Sequence, residues 1–258
     1  MQKLLFLLLL IMPFLNNSCT QGTSQADQAK ADGWRHVTDD FMKWYSYTYN
    51  NIRLSQDFIG MDTDGAVIDK PAFISKLMTG TVFAYKTGTK QGRDIYQLYT
   101  LHTQDESIKA VIQQSAATEM EHYKMEGRPM PAFSFNDLDG NHYSNESVKG
   151  KLLVIKCWFI HCVACVKEFP ELNQLVNRYK GNNQVLFVSL AFDKKDALEK
   201  FLKTKEFSYA VVPDMKAFMN EDLSIKMYPT HLLIDRSGNI VKVVNRIGDL
   251  VPFIEKAL

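Results

Sequence analysis

A buried strand that runs directly into two closely spaced cysteines constrains the fold of this chain more than any other stretch. Residues 152–157 form a nearly continuous apolar run, as expected of a strand that is buried on both faces. The spacing of Val166 and Phe169 then favours a helix. The stretch therefore predicts a strand that leads into a helix, with Cys162 and Cys165 at the junction.

The spacing of these cysteines predicts redox chemistry. Only Val163 and Ala164 separate Cys162 from Cys165, so both sulfur atoms lie on one face of the first helical turn, close enough to form a disulfide. The first thiol lies at the positive end of the helix, where unpaired N–H groups stabilise a thiolate. We therefore expect Cys162 to attack and Cys165 to resolve the mixed disulfide.

The N-terminus predicts an exported protein. Residues 1–18 combine a basic start at Lys3, an apolar run over 4–12 and a polar end, which is typical of a signal peptide. The apolar run is too short to span a bilayer comfortably. Because Cys19 follows at once, the segment resembles a bacterial lipoprotein signal, which implies a lipid on Cys19 that attaches the protein to a membrane. An unprocessed or ordinarily cleaved terminus is the alternative, and residues 19–33 are predicted to be a tether.

Composition excludes some functions. The chain has 258 residues with 46% hydrophobic composition, which is enough for one large or two small domains. Its 30 basic and 29 acidic residues nearly cancel, so no nucleic-acid partner is predicted. With Cys19 assigned to a lipid, the other cysteines are one close pair and Cys157, which we expect to pack in the core. This is not a disulfide scaffold, and a close pair in an exported protein favours a redox role.

Residues 34–127 predict an additional N-terminal α+β domain of unknown role. The alternation of Tyr45, Tyr47 and Tyr49 favours a strand, and residues 51–61 favour the next. Asp69 and Gly80 delimit a predicted helix, strands are predicted over 81–86 and 95–101, and Ser107 is predicted to cap a last helix ending near Lys124.

Residues 128–258 predict an α/β domain with a mixed sheet and helices on both faces. Pro129 and Pro131 mark the connector, and a hairpin is predicted over 132–143. The remaining elements are strands over 151–158, 185–191, 208–212, 231–235 and 240–244, and helices over 162–180, 194–204, 215–227 and 249–257. Pro170 is expected to kink the first of these helices.

Three ordered motifs carry a resemblance over about half of the chain, from Gly127 to Leu258. They are PAFSFNDLDG from Pro131, CWFIHCVACVKEFPEL from Cys157 and YPTHLLIDRSGNIV from Tyr228. The domain resembles the thioredoxin superfamily and, within it, the TlpA/ResA-like envelope thiol-disulfide oxidoreductases. The resemblance implies a thioredoxin-like fold and a W-x-x-x-C-x-x-C-x-x-E-x-P active-site run.

The resemblance also assigns roles to single residues. Cys162 matches the nucleophile of the family and Cys165 its resolving thiol. Pro229 matches the cis-proline that faces the disulfide, and the backbone of Tyr228 is then expected to pair with a bound substrate chain. Glu168 matches an acidic residue near the buried thiol, which implies a proton acceptor for Cys165, whereas an exposed helix carboxylate is the alternative.

Three neighbouring residues depart from the pattern or extend it. His161 stands where many relatives have tryptophan, and a protonated ring there would stabilise the Cys162 thiolate, with a solvated ring at the rim as the alternative. Lys156 occupies the place of the buried aspartate of thioredoxin, whose proton role therefore cannot be transferred. Trp158 is expected to pack beneath the active-site loop and, with His161 and Tyr228, to contact the substrate.

The predicted reaction is thiol-disulfide exchange with disulfide-bearing client proteins, without a metal or organic cofactor. The resemblance implies a periplasmic or envelope location, a membrane electron donor of the CcdA or DsbD kind, and apocytochromes c among the clients.

Other functions stay open at this stage. Cys162, Cys165 and a histidine, His161 or His231, could form a copper or zinc site of a metal-binding or chaperone module. A thiol peroxidase is disfavoured because Phe159 occupies the place of the threonine which that chemistry needs. An anchored interaction protein whose N-terminal domain does the work is the last alternative.

Overall fold

The structure is a computed structural model that describes residues 33–258. The predicted signal peptide, the lipidation site Cys19 and nearly all of the tether lie outside the described residues. Within residues 33–258, no helix is both long enough and apolar enough to cross a membrane.

The N-terminal half is built around its own sheet. A 3-10 turn, Gly33–His36, is followed by α1 (Phe41–Asn51), β1 (Phe58–Met61), β2 (Val67–Ile68), α2 (Lys70–Met78), β3 (Val82–Lys90), β4 (Arg93–Thr100) and α3 (Glu106–Met125). The strands form a four-stranded sheet in the order β2-β1-β4-β3, in which β1 and β4 are parallel. This half is therefore an α+β unit, as predicted.

The strand predicted at Tyr45, Tyr47 and Tyr49 is wrong, because these residues lie within helix α1. Asp40 caps this helix, and its Oδ1 accepts a hydrogen bond of 2.9 Å from the backbone N–H of Lys43. Tyr45 and Tyr49 stack on each other at the helical spacing of four residues, with ring centroids 6.2 Å apart. The alternating aromatic pattern matched a strand only by chance.

Most other N-terminal predictions are confirmed, although the strand predicted over 51–61 is limited to β1, Phe58–Met61. Asp69 caps α2 through a 2.8 Å hydrogen bond from the N–H of Ala72, and Gly80 follows the helix with a φ of 69°. The cap of α3 is Asp105 rather than Ser107, whose own N–H donates to the Asp105 carboxylate at 2.9 Å.

The C-terminal half contains a second sheet with mixed strand directions. Its elements are β5 (Ser134–Asn136), β6 (His142–Ser144), β7 (Leu152–Trp158), α4 (Val163–Lys167), α5 (Phe169–Arg178), β8 (Val185–Ala191), α6 (Lys195–Leu202), β9 (Ala210–Val212), β10 (Thr230–Ile234), β11 (Ile240–Val244) and α7 (Ile247–Ala257). The five-stranded sheet has the order β11-β10-β7-β8-β9, and β5 pairs with β6 as a separate hairpin. Strands β7, β8 and β9 are parallel, whereas β10 runs antiparallel to both of its neighbours.

Two predicted helices differ in the structure. The helix predicted over 162–180 is interrupted at Glu168, which ends α4 and precedes α5. Pro170 lies in the first turn of α5, where its missing N–H is tolerated. The helix predicted over 215–227 is reduced to one π-helical turn, Phe218–Asp222.

Strand β7 lies at the centre of the C-terminal core, and all seven of its residues are buried. Leu153, Ile155 and Cys157 face a cluster completed by the hairpin, residues 215–225 and the end of α3, so the prediction that Cys157 packs in the core is confirmed. Leu152, Val154 and Trp158 face the opposite cluster, to which the cysteine pair and helices α5, α6 and α7 contribute. The strand that leads to the cysteines is therefore held from both sides.

The two halves are in contact. The connector runs along β11, where the N–H of Gly127 donates to the carbonyl of Ile240 at 2.7 Å and the N–H of Ile240 donates to the carbonyl of Arg128 at 2.8 Å. The boundary predicted between residues 127 and 128 stays a prediction.

Candidate active site

The two cysteines lie at the start of α4, directly beyond the carboxyl end of β7. They form a disulfide with a Cα–Cα distance of 5.2 Å, and Cys162 is the N-cap residue of α4. The backbone N–H of Cys165 donates to the sulfur of Cys162 at 3.2 Å. An N–H group of the first helical turn therefore already points at the sulfur of Cys162, where it would stabilise an attacking thiolate.

The two sulfur-bearing residues differ in accessibility. Cys162 is 8% exposed, whereas Cys165 is fully buried. Val163, between them, is 68% exposed, so the chain presents this turn at the surface. Of the two sulfurs, a macromolecular disulfide can approach that of Cys162.

The loop between β7 and the cysteines is fixed by Asp193, a residue that the sequence analysis missed. Its Oδ2 accepts a hydrogen bond of 2.8 Å from the backbone N–H of Ile160. Asp193 follows the end of β8, which pairs in parallel with β7, so the carboxyl ends of both strands meet at this edge. An acidic residue just beyond the next parallel strand was the signal that could have identified it.

The peptide bond between Tyr228 and Pro229 is cis. Thr230 pairs with Cys157 across the sheet, which brings the Tyr228–Pro229 segment beside the active-site loop. The ring of Tyr228 contacts that of Phe159 at a centroid distance of 5.8 Å. The amide of Asn245 donates to the carbonyl of Pro229 at 2.8 Å and holds the segment from the other side.

Trp158 and His161 have opposite surroundings. Trp158 is fully buried and packs against the rings of Phe169 and Phe207, so the prediction that it contacts the substrate is wrong and only its packing role fits. His161 is exposed and lines an open cavity of about 430 Å³ with Val163 and other residues. Its predicted contact with a client stays a prediction.

A cluster of three polar side chains lies near the carboxyl end of β7, the end that leads to the cysteines. One oxygen of Glu168, Oε2, is 2.7 Å from Nζ of Lys156 and 3.0 Å from Nε2 of His231. Lys156 and His231 are both fully buried and are paired across β7 and β10. Glu168 is therefore not the exposed helix carboxylate that was the alternative at the level of sequence.

Burial and charge oppose each other at these groups. Burial raises the pKa of Glu168, but the hydrogen bond from His231 and the charge and hydrogen bond of Lys156 outweigh it and hold that pKa at about 2. Burial lowers the pKa of Lys156 and also that of His231, where the charge of Lys156 adds to the effect. The arrangement holds an ionised carboxylate between two buried nitrogen groups.

Two further observations bear on the other hypotheses. Burial raises the pKa of the free thiol of Cys157 to about 12, so this group stays protonated at neutral pH and is a poor nucleophile. His231 is engaged by Glu168, and residues 33–258 contain no group of three or more His, Cys, Asp or Glu side chains placed to hold a metal ion.

Comparisons with known proteins cover the same half of the chain. The family model described as AhpC/TSA matches residues 127–243. The thiol-disulfide oxidoreductase ResA of Bacillus thuringiensis subsp. konkukian is 30% identical over 123 residues, which are 47% of this chain and 70% of the relative. The thioredoxin-like protein YneN of Bacillus subtilis is 28% identical over 45% of this chain and 68% of its own length.

Solved structures give matches of similar extent. The thioredoxin domain of a thiol-disulfide oxidoreductase from Bacteroides vulgatus is 28% identical, covers 51% of this chain and 96% of its own, and has a TM-score of 0.46. A thiol:disulfide interchange protein from a Bacteroides species is 29% identical over 51% of this chain and 88% of its own, with a TM-score of 0.45.

Fold and site together define a thioredoxin-like thiol-disulfide oxidoreductase with an additional N-terminal α+β unit. Through its C-terminal half, the chain belongs to the ResA family of thiol-disulfide oxidoreductases.

Proposed function

We propose that the protein reduces disulfides in client proteins of the bacterial cell envelope through Cys162 and Cys165. The observation that supports this most directly is the asymmetric pair, in which Cys162 is 8% exposed at a helix start and Cys165 is fully buried. An accessible thiolate beside a buried resolving thiol suits an exchange that proceeds through a mixed disulfide.

In the proposed reaction, the Cys162 thiolate attacks an accessible client disulfide. Cys165 then attacks the mixed disulfide and releases the reduced client. The backbone of Tyr228 and the exposed ring of His161 are the proposed client contacts, and Pro229 is proposed to face the reacting sulfurs. No metal or organic cofactor takes part in this reaction.

The proposed location is the periplasm, with a lipid on Cys19 as the anchor to a membrane. Thiols outside the cytoplasm are oxidised, so a reductase there needs an electron supply. A membrane donor of the CcdA or DsbD kind would recharge the pair, and apocytochromes c are proposed among the clients. The donor and the clients are proposed from the resemblance to the TlpA/ResA-like oxidoreductases, and the lipid from the resemblance of the N-terminus to a lipoprotein signal.

The first test is the reduction potential of the pair, measured by equilibration with glutathione or dithiothreitol buffers on residues 34–258. We expect a reducing value near that of thioredoxin, about −270 mV. A value near about −120 mV would instead indicate an oxidase or isomerase. A protein without a two-electron thiol couple would refute the redox function.

A variant separates the roles of the two thiols. Cys165→Ser is expected to accumulate a mixed disulfide with a disulfide-bearing client such as insulin, because no resolving thiol remains. Cys162→Ser is the matched control and is expected to form none. Mass spectrometry of the adduct identifies the attacking residue, and an adduct on Cys157 would contradict the assignment.

A further inference from the structure

A lysine in the middle of a strand that is otherwise buried and apolar needs an explanation. Lys156 is fully buried on β7 and directly opposite His231 on β10. On β7 the residues two positions away, Val154 and Trp158, face the cluster that contains the cysteine pair, and side chains two apart share a face of a sheet. Lys156 therefore lies on the cysteine side of the sheet.

Glu168 bonds this pair and lies in the same helical turn as the resolving thiol. It lies three residues after Cys165 at the end of α4, a spacing that places both side chains on one face of the helical turn. Its Oε2 accepts hydrogen bonds from both buried nitrogen groups, whereas its Oε1 lies 3.4 Å from the backbone nitrogen of Ile247. The polar cluster and the buried Cys165 therefore lie on the same side of the sheet and share one helical turn.

The hydrogen bonds decide which member of the cluster can accept a proton. Glu168 is ionised and already accepts from two nitrogen groups, so it is a weak base at neutral pH. Because an ionised oxygen faces Nε2 of His231, that nitrogen carries the hydrogen and Nδ1 holds a lone pair. Nδ1 is buried and has no hydrogen-bond partner among the residues that the structure describes.

The cluster is connected to the surface between the two halves of the chain. Glu168 lies on the wall of a cavity of about 290 Å³, which is large enough for several water molecules. The other charged side chains on this wall are Glu171 of α5, Arg53 after α1, and Arg246 and Asp249 of the α7 region. The hydroxyl of Tyr209 is buried near the same carboxylate, and its pKa is raised by burial and by the charge of Glu168.

We propose that His231 accepts the proton of Cys165, that Glu168 and Lys156 are positioning residues that fix its tautomer, and that the cavity between the two halves links the cluster to solvent. This inference rests on the proposed exchange reaction. It assigns to Lys156 and His231 a role in the second step of that reaction, and it makes residues of the N-terminal half part of the proton route.

In the mixed disulfide, the S–H of Cys165 gives its proton to Nδ1 of His231, and its sulfur attacks the sulfur of Cys162. The Cys162–Cys165 bond forms, and the bond from Cys162 to the client breaks. The two electrons of the dithiol then reside on the two client sulfurs, each of which takes a proton from water.

Ellman's reagent resolves the two steps, because it releases one coloured thiolate when Cys162 attacks and a second when Cys165 resolves the mixed disulfide. His231→Gln keeps an N–H that can bond Glu168 but removes the base. We expect this variant and Lys156→Met to slow the second release at least roughly tenfold at pH 7 and to change the first by less than about twofold.

The pH profile separates a proton acceptor from a merely structural residue. In the wild type, the second release should depend on pH much less than in the variant, because burial and the charge of Lys156 lower the pKa of His231 and so favour the neutral ring that can accept a proton. In His231→Gln, the rate should rise about tenfold per pH unit, because the thiol must ionise on its own. A wild-type rate and profile in this variant would overturn the proposal.

Two matched variants complete the test. Lys242→Met removes another buried lysine, whose Nζ lies 2.8 Å from Oε1 of Glu126 and which is not part of the cluster around Glu168. This variant should leave both releases unchanged. Gly248→Leu should fill the cavity, since a Cβ there points towards Glu171 at 3.6 Å, and it should slow the second release only. An unchanged second release would refute the cavity as the proton route, whereas a wild type without a first release would refute the proposed function itself.

Discussion

Glu168 offsets the unfavourable burial of Lys156. A buried ammonium group without a partner is strongly destabilising, by several kcal/mol per ion. The 2.7 Å contact between Nζ of Lys156 and Oε2 of Glu168 supplies the opposite charge, and His231 adds a second donor. Removal of the carboxylate would leave two buried nitrogen groups without their shared acceptor.

We therefore predict that Glu168→Gln lowers the free energy of unfolding by about 3 kcal/mol at pH 7. The folded pKa of Glu168, about 2, lies below its ordinary value of 4.5, so the stabilisation is complete above the unfolded pKa and is lost as the pH falls from about 5 towards 2. The difference between wild type and variant should shrink to about 1 kcal/mol at pH 3. Urea unfolding over this pH range measures it, and a difference independent of pH would contradict the assignment.

At this scale the sequence predicted only part of the site. The spacing of Cys162 and Cys165 was sufficient to place them, because two residues in one helical turn are a local matter. The cluster of Lys156 with His231 was missed, because it depends on the register between β7 and β10, which are far apart in sequence. Trp158 was assigned a substrate contact that its complete burial excludes.

Among the elements, α5 has an aromatic anchor. Phe169, in its first turn, stacks on Phe207 with a centroid distance of 4.0 Å and meets Trp158 edge-on at 5.1 Å. These contacts join the helix to the end of β7 and to the segment before β9. The position of α4, and hence of Cys162, depends on this packing.

We predict that Phe169→Ala lowers the free energy of unfolding by about 3–5 kcal/mol, the usual result of a cavity left by a buried ring. Tyr45→Ala is the control, because its ring is 45% exposed on α1, and it should change stability by less than about 0.5 kcal/mol. Urea unfolding of the oxidised proteins provides the comparison. Equal effects of the two substitutions would show that the stack does not hold α5.

The elements were predicted well wherever the pattern was long and local. The strands over 185–191 and 240–244 have the predicted bounds, and those predicted over 151–158, 208–212 and 231–235 differ by one or two residues. The failures have physical causes: the tyrosines of α1 stack at helical spacing, and Pro170 lies in the first turn of a new helix instead of bending the old one. Single-sequence patterns do not distinguish these cases, since tertiary packing decides them.

At the scale of the whole molecule, Asp249 joins the two halves. Its carboxylate, which is 8% exposed, accepts from Arg53 of the N-terminal half at 3.0 Å and from Arg246 at 2.9 Å. Its carbonyl accepts from the amide of Gln56 at 2.7 Å, and Arg246 lies over the ring of Tyr49. The contact between the two halves therefore combines ion pairs, hydrogen bonds and an aromatic contact.

We predict that Asp249→Ala costs about 2 kcal/mol, because charged hydrogen bonds of low exposure are lost, and lowers Tm by about 4–8 °C. Arg178→Ala is the matched control: it removes an ion pair with Glu255 whose partners are each 56% exposed, and it should lower Tm by less than about 2 °C. Scanning calorimetry measures both. Equal shifts in Tm would show that the contact between the two halves contributes no more to stability than an exposed ion pair.

The buried Lys156 also constrains the order in which the chain assembles. The central strand cannot leave water with an unpaired ammonium, so its burial requires Glu168 to be in place. The two residues are separated by only 12 positions, so their loop closes rapidly during folding. Formation of the sheet is therefore linked to docking of the helix that carries the reactive sulfur, and a chain whose active-site helix is misplaced cannot complete its core.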